Sequence, residues 1–292
     1  SVLKQEIAPS YLAAQPVQFK RIATAMGFSP MAKANIAEVH RIAQKCGAKM
    51  LVLHIGIWDP SCERTYRTFL EELSIDPTSI ELHTRAGEPV DQLLALCVDL
   101  KVDLLALGAL QREAMFKVFT VSIARDMCRK AKISLLLLTH SAIEERRCKR
   151  IVVNGLDHPK TPTTLKTALW LGTHLQCTEL LVVDELSEKE LIRPEDDKSQ
   201  LKNNRRRKQI ARVQQNRLEA VLSTCEVPPS IDIREQHVFG QRGYTISHYA
   251  KAQKADLLVI NSPDTKLRLL DRIFKHDLEY ILADLPTDLL IV

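Results

Sequence analysis

Lys275-His276 stands at the start of the chain's last helical stretch. A cation beside the free amides of a helix start can hold an anion such as phosphate, although a solvated helix start is the plainer reading. The densest basic run is Lys202-Asn-Asn-Arg-Arg-Arg-Lys208, followed by Arg212 and Arg217. It has the charge to meet nucleic acid or acidic lipid. No aromatic is interleaved with it, and Glu195-Asp-Asp197 lies just before it. A solvated helix face is therefore the preferred reading, and nucleic acid is not an expected partner. The nine histidines include no HxH or HxxxH pair, so no metal site is expected. His54, on a predicted strand, reads as a hydrogen-bonded core residue. No GxSxG motif occurs and nothing places a nucleophile beside a base, so catalysis is not expected.

The elements that must position these residues repeat. Asp-Leu-Leu-Ala-Leu-Gly-Ala at Asp103–Ala109, a helical stretch and an apolar run ending at Thr139 return as Asp256-Leu-Leu-Val-Ile-Asn-Ser262, another helical stretch and Asp288–Val292. Runs this short, apolar at consecutive positions, suit parallel strands buried on both faces. A strand, a crossover helix and a parallel strand make a right-handed unit, and such sheets bind ligands at the carboxyl ends of their strands. The segments after Leu107 and Ile260 are therefore where a site is expected.

Before the first of these units the pattern predicts strands at Arg21–Ala25, Lys49–Ile55 and Ile80–Ala86, with helices at Ala32–Lys45, Cys62–Leu73 and Glu88–Leu100. Gly47 follows the first helix, where glycine is favoured. The order then repeats, with strands predicted at Arg150–Val153, Glu179–Val183 and Ile231–His237 and helices at Thr163–His174 and Gly243–Ala252. Ile22 and Ile151 are spaced as Leu51 and Leu180 are, but Asp103 and Asp256 stand about two dozen residues further apart. The excess falls in Glu185–Gln215, the most polar stretch, which is expected to be a partly mobile loop running into a long helix from about Asn204. Residues 1–18, with Pro9 and Pro16, read as an extended lead-in. The expected domains are residues 19–140 and 148–292.

Composition sets the bounds. At 292 residues each half can bury a core, and 45% hydrophobic with 26% charged residues is ordinary for a globular protein. A net charge of +5 spread over this length does not by itself imply nucleic acid. Seven scattered cysteines without a CxxC pair point to reduced thiols in a cytoplasmic compartment. No apolar run is long enough to cross a membrane. The opening Ser1 in place of Met fits a processed product, a trimmed form or a piece of something larger.

Phe19-Lys-Arg-Ile22 and Cys148-Lys-Arg-Ile151 open the two copies. With Gly47-Ala-Lys-Met-Leu-Val-Leu-His54, Gly87-Glu-Pro89, Lys101–Gly108 and Asp284–Val292, they resemble the universal stress protein family, twice over from Phe19 to Val292. The resemblance implies an α/β fold: two tandem doubly wound five-stranded parallel sheets of order 3-2-1-4-5, of the adenine nucleotide alpha hydrolase-like type. ATP-binding members carry Gly-x-x-Gly, nine residues and Gly-Ser/Thr after the fourth strand. Here Gly108 fits, but the next positions read Gln111 and Val121, with Ser122 retained. In the second copy they read Asn261, beside Ser262, then Asp264 and, with one inserted residue, Lys275-His276. The aspartate that contacts the nucleoside aligns with Gly27 in the first copy, and Asp157 lies one place from it in the second. A Cβ in place of glycine obstructs the phosphate cradle, so no cofactor is expected, and any ATP would sit in the second copy.

The resulting expectation is a non-catalytic stress-response or regulatory protein with degenerate nucleotide-binding motifs. One alternative is a cytosolic regulatory domain of a membrane transporter, since Phe274-Lys-His-Asp-Leu-Glu-Tyr280 looks like the paired stress domains of some cation/proton antiporters and permeases. Another is a weak ATP-binding protein or ATPase. Ser134–Thr139 and Asp288–Val292 are strongly apolar edge strands, a hazard unless covered. They are expected to pack against each other in an intramolecular pseudo-dimer about a twofold axis, with a further homodimer optional.

Overall fold

A computed structural model describes residues 7–109, 117–187, 197–263 and 270–292, and side chains at 7–109, 123–186, 200–263 and 277–292. In chain order the elements are α1 (Pro9–Leu12), β1 (Arg21–Ala25), α2 (Ala32–Cys46), β2 (Lys49–Ile55), α3 (Pro60–Glu72), β3 (Ile80–Arg85), α4 (Pro89–Asp99), β4 (Leu104–Gly108), α5 (Lys117–Lys130) and β5 (Ser134–Leu138). There follow β6 (Arg150–Asn154), α6 (Thr161–His174), β7 (Glu179–Ser187), α7 (Asp197–Leu222), β8 (Asp232–Gly240), α8 (Tyr244–Ala252), β9 (Leu257–Ile260), α9 (Leu270–Ala283) and β10 (Asp288–Ile291).

Local chemistry accounts for the helix ends. Asp59 accepts hydrogen bonds from the amides of Ser61 and Cys62, both at 2.8 Å, and Pro60 occupies the first helical position of α3. Glu88 and Pro89 open α4 in the same way. Gly47, at φ 62°, ends α2 in the left-handed conformation.

The chain divides into two compact units. The first holds Gln18–Cys148 together with Thr287–Val292. Its strands run β3-β2-β1-β4-β5, all parallel, as expected for the first copy, and β10 adds to β5 antiparallel. Leu289 pairs with Leu137, Leu290 with Leu136 and Ile291 with Leu135. The Asp288 carboxylate closes the ladder, accepting from the Thr139 amide at 2.7 Å and its hydroxyl at 2.9 Å. The core is the filled sheet itself: Ile22, Leu51, Leu104, Leu105 and Leu137 are wholly buried.

The second unit holds the lead-in up to Val17, Lys149–Thr173 and Cys177–Pro286, with parallel strands in the order β8-β7-β6-β9. The lead-in differs from the extended segment expected, since α1 forms one helical turn that is tied to this unit. The buried Lys166 ammonium donates to the carbonyls of Leu12 and Ala14 at 2.8 and 2.7 Å, and the Val17 amide donates to the Thr167 hydroxyl at 2.8 Å. A buried cation needs such partners, and a chain with free carbonyls supplies them. Helix α7 begins at Asp197, before the helical spacing anticipated from Asn204; residues 188–196 of the expected loop lie outside the described residues.

Leu290 is fully buried beside Leu136. Leu290→Lys should detach β10 and leave β5 an apolar edge, so size-exclusion chromatography should show oligomers or aggregate. A monomer with an unchanged melting temperature would show that β10 does not protect β5.

Candidate functional site

In the first unit the carboxyl ends of β1 and β4 part around a cavity of about 220 Å³. Met26, Gly27 and Gly108 form its strand ends, Asn35 and Ile36 of α2 one wall, and Leu93 of α4 part of another. None of its described lining residues is charged. Ligand sites for drug-sized molecules run to roughly 300–1,000 Å³, so this space encloses a fragment of such a ligand.

Two glycines at this site have opposite constraints. A Cβ on Gly108 would lie 2.5 Å from Asn35 Nδ2, so any larger residue there would displace the Asn35 amide that packs between β4 and α2. A Cβ on Gly27 would meet nothing within 4 Å, so the position aligned with the nucleoside-contacting aspartate is open space. His54 is buried as expected, its Nδ1–H donating to the Met26 carbonyl at 2.9 Å. Around it Phe28, Trp58 and Tyr66 make a chain of tilted and edge contacts at 5.3–6.0 Å between ring centroids.

The equivalent end of the second unit is occupied by its own side chains. Asn261, at the position of Gly108, is buried; its Oδ1 accepts from the Thr164 hydroxyl at 2.5 Å and its Nδ2 donates to Thr161 at 3.1 Å. The Lys160 ammonium crosses to Ser262, donating to its hydroxyl at 2.9 Å and its carbonyl at 3.2 Å. Asp157 accepts from Arg217 Nη1 at 2.7 Å, and Arg217, buried on α7, also donates to the carbonyls of Gly155 at 2.6 Å and Leu156 at 3.2 Å. The Tyr11 hydroxyl of the lead-in joins this group at 3.2 Å; burial pushes its pKa up, against the pull of Arg217.

Asp157, Asn261 and Ser262 thus gather at one end of the second sheet, and Gly108 borders the cavity of the first. Ser122, Lys275 and His276 fall on α5 and α9, but their side chains, like Gln111 and Asp264, lie outside the described residues. All seven cysteines are free thiols, and burial pushes Cys97 up to about 12 and Cys177 to about 11, far from thiolate reactivity. No group of three or more metal-ligating side chains occurs among the described residues.

Sequence reasoning missed Arg217's part in the site and the pair Asp184-Glu185. Both carboxyls are buried, on opposite faces of β7. Asp184 lies 3.8 Å from His237. Glu185 accepts from the amides of Gly243 at 3.0 Å and Ile246 at 2.6 Å, capping α8 from inside. Gly243 has φ +79°, and a Cβ on it would lie 2.3 Å from the Asp277 carbonyl oxygen. An acidic pair after Leu-Leu-Val-Val reads as a strand end, and only the tertiary position of α8 shows otherwise.

No family model matches the sequence, and no curated protein matches it. Solved structures do. A functionally unknown protein from Pseudomonas aeruginosa PAO1 superposes with a TM-score of 0.64 at 14% identity, over 98% of this chain and 94% of that one. A universal stress protein from Archaeoglobus fulgidus DSM 4304 gives 0.60 at 15% identity, over 94% and 97%. The cytoplasmic domain of a prokaryotic cation chloride cotransporter gives 0.53 at 12% identity, over 94% and 95%. The fold is that of the universal stress proteins, present twice in one chain. No helix among the described residues is long and apolar enough to cross a membrane.

Two outcomes test this geometry. Gly108→Ala should cost about 1–3 kcal/mol through overpacking against Asn35, and Asn35→Ala should recover part of the loss; strictly additive effects in denaturant titrations would contradict the contact. Burial raises Glu185 from its ordinary 4.5 to about 7, with the Gly243 and Ile246 amides opposing. The folded state therefore holds a proton that the unfolded state releases. The linked stability, on the order of 3 kcal/mol, is fully present below about pH 4.5 and lost as pH rises through about 7. Urea titrations across that range should show the decline in the parent and a flatter profile in Glu185→Gln, which keeps an acceptor for both amides.

Proposed function

We propose that the chain is a non-catalytic regulatory module in which the first repeat senses a small ligand and the second is a self-filled scaffold. One observation carries this reading: the cavity at the ends of β1 and β4, uncharged among its described lining residues, stands open, whereas Lys160, Asn261 and Arg217 occupy the equivalent place in the second repeat. A polyphosphate needs cations or a glycine cradle; the described lining of the cavity offers no cation, and Gln111 stands in the sequence where the cradle's next glycine would follow Gly108. An uncharged, partly apolar ligand group matches it better. On this reading β10 covers the apolar edge of β5 within the first unit, with no need of a further copy to do so.

A second reading is favoured by the likeness to a cotransporter's cytoplasmic domain, which extends over nearly the whole of both chains. Here the module would be the cytosolic regulatory part of a membrane transporter. An open reading frame continuing from this chain into membrane-spanning segments would establish it.

The ligand reading is tested on freshly purified protein. Mass spectrometry of small molecules released on denaturation should find an uncharged or weakly charged compound. Calorimetric titration with ATP should give no binding tighter than the high-micromolar range, and no phosphate should be released. Low-micromolar ATP binding would refute the reading, and phosphate release would make the chain a weak ATPase. If that binding were weakened by Lys275→Ala, the ligand would sit in the second repeat.

A further inference from the structure

Helix α7 carries an unneutralised positive stripe. Between Asp197 and Glu219 the sequence has no acidic residue. Lys202, Arg205, Arg206, Lys208 and Arg212 are all exposed, and none makes an ion pair or hydrogen bond with another described residue. Surface cations at this density ordinarily find a carboxylate three or four residues away, and here there is none. Arg207 is set apart from them, with its guanidinium 4.7 Å above the Phe239 ring.

At about 100° per residue, Leu201, Arg205, Lys208 and Arg212 fall within an arc of about 60°. Lys202, Arg206 and Val213 form the neighbouring arc on one side. Asn203, Arg217, Leu218 and Val221 are buried on the opposite side, which holds the helix to its sheet. The stripe runs about 18 Å from Leu201 to Val213. Its ends are apolar and open: Leu201 is 60% exposed and Val213 41%.

We propose that this face of α7 docks on an anionic lipid bilayer surface. A bilayer offers a plane of phosphates above an apolar boundary, which matches both the cations and the exposed Leu201 and Val213. Nucleic acid fits less well, because no aromatic side chain stands in the stripe to stack on a base. The inference is independent of what fills the cavity of the first repeat.

The test is co-sedimentation of the full chain with vesicles of phosphatidylcholine alone or of equal parts phosphatidylcholine and phosphatidylglycerol. The parent should sediment with the acidic vesicles only, and added salt should release it. Arg205→Gln/Lys208→Gln/Arg212→Gln, which preserves helix propensity, should weaken partitioning on the order of a hundredfold. The charge-reversed Glu triple should abolish it, with circular dichroism checking that both variants fold. Lys20→Glu/Arg64→Glu/Lys132→Glu, with the same charge change on exposed positions elsewhere, should still sediment. Failure of the parent to bind acidic vesicles would overturn the proposal. So would equal loss in the control triple, retention in the folded Gln triple, or stripe-dependent binding to duplex or single-stranded DNA without vesicle binding.

Discussion

The fold rests on a carboxylate clamp used once in each repeat. Asp103 Oδ2 accepts from the amides of Lys20 and Arg21 at 2.9 and 2.8 Å; Asp256 Oδ2 accepts from those of Lys149 and Arg150 at 2.7 and 2.9 Å. Each carboxylate stands just before a fourth strand and grips the two residues that lead into a first strand. The clamp therefore sets the register, Ile22 against Leu104 and Ile151 against Leu257. A one-residue slip would turn every side chain to the other face, so pinning one end of a buried parallel pair specifies the whole of it. The arginines finish the job. Arg21 donates to the Leu100 carbonyl at 2.7 Å, at the end of α4, and Arg150 to the Gln253 carbonyl at the end of α8.

Because these bonds close the amino ends of the strands, the carboxyl ends are free to diverge. The two repeats use that freedom in opposite ways. In the first, small residues at Gly27 and Gly108 leave room between the strand ends. In the second, the added length between β7 and β8 becomes α7, and Arg217 from that helix reaches the loop after β6. Asp157 then has a cation to pair with inside its own repeat. Its availability to a ligand is a matter of competition with Arg217, which its position in the sequence does not reveal.

What was legible follows the same division. Most strands and helices of both copies were readable to within a few residues, because consecutive apolar runs and Gly47 act locally; the cap of α3 by Asp59 and Pro60 and the start of α7 at Asp197 were not. The strand order followed from the repeat and the resemblance, and the paired closing strands from the hazard of an apolar edge. The lead-in was not legible: its helical turn and its place on the second repeat depend on Lys166 and Thr167, some 150 positions away. The buried Glu185 was hidden for the same reason, since its partners at Gly243 and Ile246 are distant in sequence. At the site, the lost glycines were visible as letters, but their different consequences at Gly27, Gly108 and Asn261 are three-dimensional.

The second repeat's filled end also shows how a buried cation shapes a fold. Lys166 and Arg217 are both buried, and backbone carbonyls supply most of their acceptors. Carbonyls impose no compensating charge, so Lys166 is held by geometry alone, and Arg217 by two carbonyls together with the Asp157 carboxylate. Removing either side chain would leave several carbonyls unpartnered together. The lead-in, α6, the loop after β6 and α7 are thus tied into one body through two side chains.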